Sequence, residues 1–270
     1  MTPEPAPDPR ALEALLAFWR DAGVAELTDD QPHDRLTDGA ERLRGTAPPP
    51  DAVAPAVLPP VGPDAAEGAA LAREAALACD DLSALSAAIA AFEGSTLRGR
   101  GARRPVTFRG PADARVMVIG EAPSGEDEAE GRPFTGRAGG LLDRALSAAG
   151  LLDSALFAHT VFWRPPGDRG PRPDEQAVLE PFLDRAIGLV RPQALLLLGA
   201  GPVRALLRQE GAVMALRGRW FERAGDDGAL ITPALASLSP AFLLMQPRSK
   251  KLFWADLLAL AARLEAGGTG

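Results

Sequence analysis

The chain has one cysteine, Cys79, in 270 residues. A single thiol excludes an internal disulfide, and it excludes any four-cysteine metal or iron–sulfur site built by one chain. Long hydrophobic runs are missing too: no stretch reaches the ~18 apolar residues that a membrane span requires. The opening residues, MTPEPAPDPRALEALLAFWR, lack the basic start and apolar block of a secretory signal. Lysine is nearly absent, Lys250 and Lys251 being the only ones. The Arg- and Ala-heavy usage therefore reflects genome composition more than a choice of guanidinium chemistry. The net charge of −7 argues against a protein that coats nucleic acid, although a local basic patch is what matters for such binding. A monomeric cytoplasmic enzyme with no membrane partner is the expectation.

What is present is an apolar fraction of 46%, ample for a core, and a change of composition along the chain. Residues 11–22 place Leu12, Leu15, Leu16 and Trp19 at helical spacing, as in a short helix docked on the main domain or on a partner. Residues 45–63 then carry Pro48, Pro49, Pro50, Pro55, Pro59, Pro60 and Pro63 among Ala and Val. That composition sustains neither a helix nor a central strand and reads as a disordered or polyproline-type linker. The expected organisation is a helical arm over 1–44, a Pro/Ala-rich linker over 45–63 and a main domain over 64–270.

In the main domain, strands alternate with helices. Helices are predicted over 65–93, 137–149, 174–190 (capped by Asp174), 202–208 and 249–266. Strands are predicted over 115–120, 156–162, 194–198 and 229–234. The run Ala194 to Leu198 is wholly apolar, as in a parallel sheet covered on both faces. This pattern predicts an α/β fold: a three-layer αβα sandwich around a central, mostly parallel four-stranded sheet.

The densest signal is Arg115 to Gly150, RVMVIGEAPSGEDEAEGRPFTGRAGGLLDRALSAAG. A strand ends at Gly120, an acidic loop follows, and a Gly-rich turn enters a helix. Polar groups at the carboxyl end of a strand in such a sheet are the usual place for chemistry. A P-loop would need Gly-Lys-Ser/Thr, and a dinucleotide fingerprint would need G-x-G-x-x-G; neither follows Gly120. A solvated acidic loop is the bland alternative.

Five words in this order resemble the family-4 uracil-DNA glycosylases. They are GEAP with GRPF and AGG from Gly120 to Gly140; His159-Thr-Val-Phe-Trp-Arg-Pro-Pro-Gly-Asp-Arg169; Leu195 to Gly199; Arg217 to Trp220; and Ser239-Pro240-Ala241-Phe242-Leu243-Leu244, followed by Pro247, Lys250 and Trp254. The resemblance covers about residues 82–262. It implies hydrolysis of the N-glycosidic bond of uracil, or of other deaminated bases, in DNA, with no metal or nucleotide cofactor in the reaction. It implies Gly120, Glu121, Ala122 and Pro123 as the water-and-backbone loop, with Glu121 and, at an acidic position further along it, Asp127 as catalytic acids. Phe134 is implied as the stacking face for an extruded base.

At three places the chain departs from the family pattern. The four cysteines that hold the family's iron–sulfur cluster correspond to Phe92, Ser95, Trp163 and Leu179, so the cluster is expected to be absent. The base-reading asparagine corresponds to His159, which at a strand end could equally be a structural residue. The histidine that donates to the leaving base corresponds to Ser239. An enzyme of this family is the leading expectation, and a protein that binds DNA or damaged bases without excision is the alternative. On the DNA side, Arg164 and Arg169 flank the Pro-Pro-Gly turn and Arg248, Lys250 and Lys251 lie near the C-terminus; phosphate contacts are expected of both groups. Leu243 and Leu244 have the character of a wedge into DNA, with core packing as the alternative. A further five arginines, Arg98, Arg100, Arg103, Arg104 and Arg109, stand without an acid between Gly94 and Ala112.

Overall fold

The computed structural model describes residues 63–98, 100, 102–225, 228 and 230–267. The helix expected at 11–22 and the linker up to residue 62 lie outside them. Pro63 opens the first helix, α1 (Pro63–Leu77), where a missing N–H costs nothing. The single helix expected over 65–93 is two. Asp81 breaks it in an extended conformation, and its carboxylate caps α2 (Leu82–Ala91) by accepting from Ala84 N–H at 2.7 Å.

Then follow β1 (Val116–Gly120), α3 (Gly125–Glu130), α4 (Gly136–Ala148), β2 (Ala155–His159), α5 (Pro173–Val190), β3 (Ala194–Leu198), α6 (Ala200–Leu207), α7 (Val213–Leu216), β4 (Trp220–Ala224), β5 (Ile231–Ser237), α8 (Pro240–Met245) and α9 (Lys250–Gly267). The sheet has five strands in the order β2-β1-β3-β5-β4. The first four run parallel and β4 pairs antiparallel with β5. The fold class is as expected. The fifth strand, WFERA, is half-exposed along the sheet edge and lacks the apolar run that marks the central strands.

Alternation along the strands builds the three layers. Met117, Ile119, Leu156, Ala158, Leu195 and Leu197 join one core with α1, α2, α5 and α6. Val116, Val118, Phe157, Leu196 and Leu198 join the other with α4 and α9. Each fully buried aliphatic side chain contributes about 1.5–3 kcal/mol, so both faces of each central strand hold the sheet.

The strand order places the functional edge. From β1 the chain passes through α4 to β2 on one side, then crosses through α5 to β3 on the other. The connections therefore diverge between β1 and β3, and a crevice opens at the carboxyl ends of the strands there.

Candidate active site

A cleft of about 540 Å³ occupies that crevice. Its wall is formed by the segments that leave β1, β2, β3 and β5, and it includes Gly120, Glu121, Ala122, Pro123, Asp127, Phe134, His159, Arg169 and Ser239. Residues separated by more than a hundred positions thus meet because parallel strands all end on one edge. Ordinary solvated loop does not describe the acidic segment. Ser124 caps α3, accepting from Asp127 N–H at 3.1 Å, while Ser124 N–H donates back to Asp127 Oδ2 at 3.0 Å.

Asp127 is buried, and its other oxygen accepts from the N–H and the hydroxyl of Thr135, both at 2.7 Å. Its carboxylate thereby ties α3 to the turn that carries Phe134. Burial pushes this carboxyl up. His159 and the N–H groups of Ser124 and Thr135 outweigh burial and hold it well below the usual carboxylate range. The expected catalytic acid is therefore directed into the loop's own hydrogen bonds.

Phe134 sits at φ 57°, in the left-handed region, with its ring 4.7 Å from the His159 ring at a tilt of 33°. Its edge meets Phe157 at 5.9 Å. Arg109 supports this arrangement. Its guanidinium lies 3.9 Å over Phe157, donates to Pro133 carbonyl at 3.1 Å and forks onto Asp143 at 2.8 and 3.1 Å. Nothing in the sequence singles out Arg109 from its four neighbouring arginines; only its bridge to Phe157 does. Thr135, Phe242 and Arg204 also line the cleft and were not expected to.

His159 is 3% exposed. Its Nε2 lies 3.4 Å from Asp127 Oδ2, but neither ring nitrogen has a partner in hydrogen-bonding geometry. Gly120 is required beside it, because a Cβ there would stand 2.6 Å from His159 Nδ1 and 2.7 Å from Phe134 Cζ. Glu121 is exposed; its carbonyl accepts from the Thr160 hydroxyl at 2.5 Å, and its carboxylate lies against Gly170 and Gly201. Ser239 caps α8 by accepting from Phe242 N–H at 3.3 Å. Its own proton remains free to be donated into the cleft.

The DNA-side expectations divide. Arg164 forks onto Asp168 at 2.6 and 2.9 Å, and Arg169 forks onto the buried Glu175 at 2.7 and 2.8 Å. Both guanidinium groups already face carboxylates. Leu243 is 1% exposed and packs in the core with Phe253 and Leu257, which corrects its reading as a wedge. On a helix, successive residues point about 100° apart. Leu244 and Met245 are accordingly the exposed pair, Met245 at 72%. Arg248, Lys250 and Lys251 are exposed and make no ion pair among the described residues.

Away from the cleft, Phe92, Ser95, Trp163 and Leu179 are all buried. Phe92 meets Phe182 edge to face at 5.2 Å, within the core that holds Trp163 and Leu179. Cys79 is elsewhere in that core and donates to Ala75 carbonyl at 3.2 Å. Iron–sulfur clusters are held by several thiolates. These residues supply none at the four positions and do not fit a cluster.

Residues 107–258 match the model of the uracil DNA glycosylase superfamily. The type-4 uracil-DNA glycosylase of Pyrobaculum aerophilum is 33% identical over 165 residues, spanning 57% of this chain and 81% of that protein. The enzyme of the same name from Sulfurisphaera tokodaii is 30% identical over 157 residues, spanning 56% and 70%. That from Thermotoga maritima is 38% identical over 96 residues, spanning 35% and 50%. With its cleft at the strand ends and this extent of similarity, the chain belongs to the uracil DNA glycosylase superfamily, on the type-4 branch.

Proposed function

We propose that the protein hydrolyses the N-glycosidic bond of uracil, and of other deaminated bases, in DNA. The observation that carries this is the convergence of the Gly120–Pro123 loop, Phe134, His159 and Ser239 on one cleft. A base extruded from the duplex enters that cleft and stacks on the exposed part of the Phe134 ring. Breaking the C1′–N1 bond leaves positive charge on the sugar and negative charge on the uracil. Glu121, the acid next to the end of β1 in the cleft wall, faces the first. The Ser239 hydroxyl donates to the second. The base departs as an anion that takes a proton from solvent; water held at the loop backbone adds to C1′ and releases a proton to solvent.

Asp127 takes part by position: it holds the Phe134 turn and the His159 ring. No cofactor enters this chemistry, and with no thiolates at positions 92, 95, 163 and 179 the fold is proposed to stand without a cluster. Leu244 and Met245 fill the gap left by the extruded base, with Arg248, Lys250 and Lys251 on the adjoining phosphates.

Release of uracil from single- and double-stranded oligonucleotides, followed at excess enzyme, tests the proposal. DNA binding without any base release would overturn it. A second reading, a binder that does not excise, is favoured by one observation: Ser239 is shorter than an imidazole and cannot become cationic. Loss of one oxyanion donor costs about 10²–10³ in rate in other enzymes. The double variant His159→Asn with Ser239→His separates the two readings. Activity in the variant and none in the parent would establish the binder.

A further inference from the structure

Among the described residues of the cleft wall, His159 is the buried side chain whose polar atoms lack hydrogen bonds. Buried polar atoms without partners are uncommon and call for a reason. A neutral imidazole carries one N–H and one bare nitrogen, and the neighbours of each decide which is which. Nε2 faces Asp127 Oδ2 at 3.4 Å. The Asp127 carboxylate already accepts from Ser124 N–H and from the N–H and hydroxyl of Thr135, so it is ionised and offers only lone pairs. The proton therefore sits on Nε2. Nδ1 is left bare; it is covered by Gly120 and the Phe134 ring, so a base reaches it as that ring turns aside to stack.

From this geometry we infer that His159 reads the base through one acceptor, Nδ1, and that Asp127 is the positioning residue that sets its tautomer. The inference rests on the glycosylase reading above and narrows it to a substrate class: pyrimidines carrying N3–H, whatever the hydrogen-bonding capacity of the group at C4. Uracil presents an N–H to Nδ1. Cytosine presents a bare N3, lone pair against lone pair, and is refused. An asparagine amide accepts and donates at once, so it would also require a good acceptor at C4. A single acceptor does not.

Two measurements test this. The first is the ¹⁵N spectrum of histidine-labelled protein at a pH where the ring is neutral. The chain has two histidines, His33 and His159, and the His159→Asn variant identifies the second signal. A protonated Nε2 with a bare Nδ1 is expected; a proton on Nδ1 would overturn the inference. Asp127→Asn, which can donate to Nε2, is expected to move the proton to Nδ1.

The second is base release from oligonucleotides holding uracil or 4-thiouracil, whose sulfur is a weak acceptor. The native protein is expected to release both at rates within about threefold, and His159→Asn to disfavour 4-thiouracil by about tenfold, the worth of one hydrogen bond. Equal discrimination by the two proteins would overturn the inference. If Asp127→Asn does not fold, the native spectrum and the paired substrates still decide. If no uracil is released at all, the glycosylase reading fails, while the ¹⁵N spectrum reports on the tautomer independently. Uracil release with a protonated Nδ1 leaves that reading standing and removes this one.

Discussion

On the β1 side of the cleft, Asp127 alone collects donors from Ser124 and Thr135 and the approach of His159. On the β5 side, Ser239 has a single long cap bond to Phe242 N–H, and beyond it Leu244 and Met245 stand in solvent. One wall is fixed by mutual constraint before any ligand arrives; the other holds its groups loosely and presents a short hydroxyl. Preorganised walls suit recognition, because little ordering remains to be done on binding. A looser wall suits parts that must meet a deformed duplex. Discrimination between bases is thus expected to reside in the β1 wall, and the rate of bond breaking to be limited by the β5 wall.

Gly120→Ala tests the first half most severely. The added Cβ must displace His159 or Phe134, and a displacement of that size costs about 100-fold or more in rate. Single-turnover base release should show this, with the fold retained by circular dichroism. Asp127→Ala comes next. It strands several buried donors and removes a capping box, for a loss of about 3 kcal/mol in urea unfolding.

The same carboxylate has a pH signature. Its folded pKa is lowered, so its contribution to stability is complete above the ordinary carboxylate value of about 4 and is lost as pH falls through the acid range. Asp127→Asn should flatten that acid limb in a series of unfolding curves.

Ser239→His probes the other wall. A donor able to become cationic should raise base release about 10-fold or more, with a cost of about 1 kcal/mol from the lost cap. No gain here would break the assignment of the rate limit to the β5 wall. The smallest effect is expected from Lys250→Ala: the slope of log affinity against log salt should shrink by about one, as for a single phosphate contact.

The legible parts of this molecule are those where local pattern and fold agree. Ala194–Leu198 and Val116–Gly120 are buried on both faces, and their apolar runs say so. Residue types around the cleft were legible as well, since Gly120 and His159 end strands and Glu121 and Ser239 stand just beyond them. Directions were not. Asp127 is an acid in the right loop, but only the folded loop reveals that one of its oxygens turns toward Thr135 and the other toward Ser124. Leu243 and Leu244 are the same residue type side by side, and which one faces the core depends on the phase of a six-residue helix begun at Pro240. The helix α3, GEDEAE, has no apolar stripe and exists because Ser124 caps it. Arg109 acts through Phe157, a residue it meets only when the sheet has formed.

The plug formed at Phe92, Trp163 and Leu179 bears on when this protein becomes usable in a cell. Folding that depends on an inserted cofactor waits for its delivery, whereas aromatic packing is complete once the polypeptide is. Cells grown with an iron chelator should therefore yield this protein folded and melting at the same temperature as cells grown replete. On the proposal that the fold stands without a cluster, its supply follows translation, and an oxidant that strips iron from other proteins should leave its melting temperature unchanged.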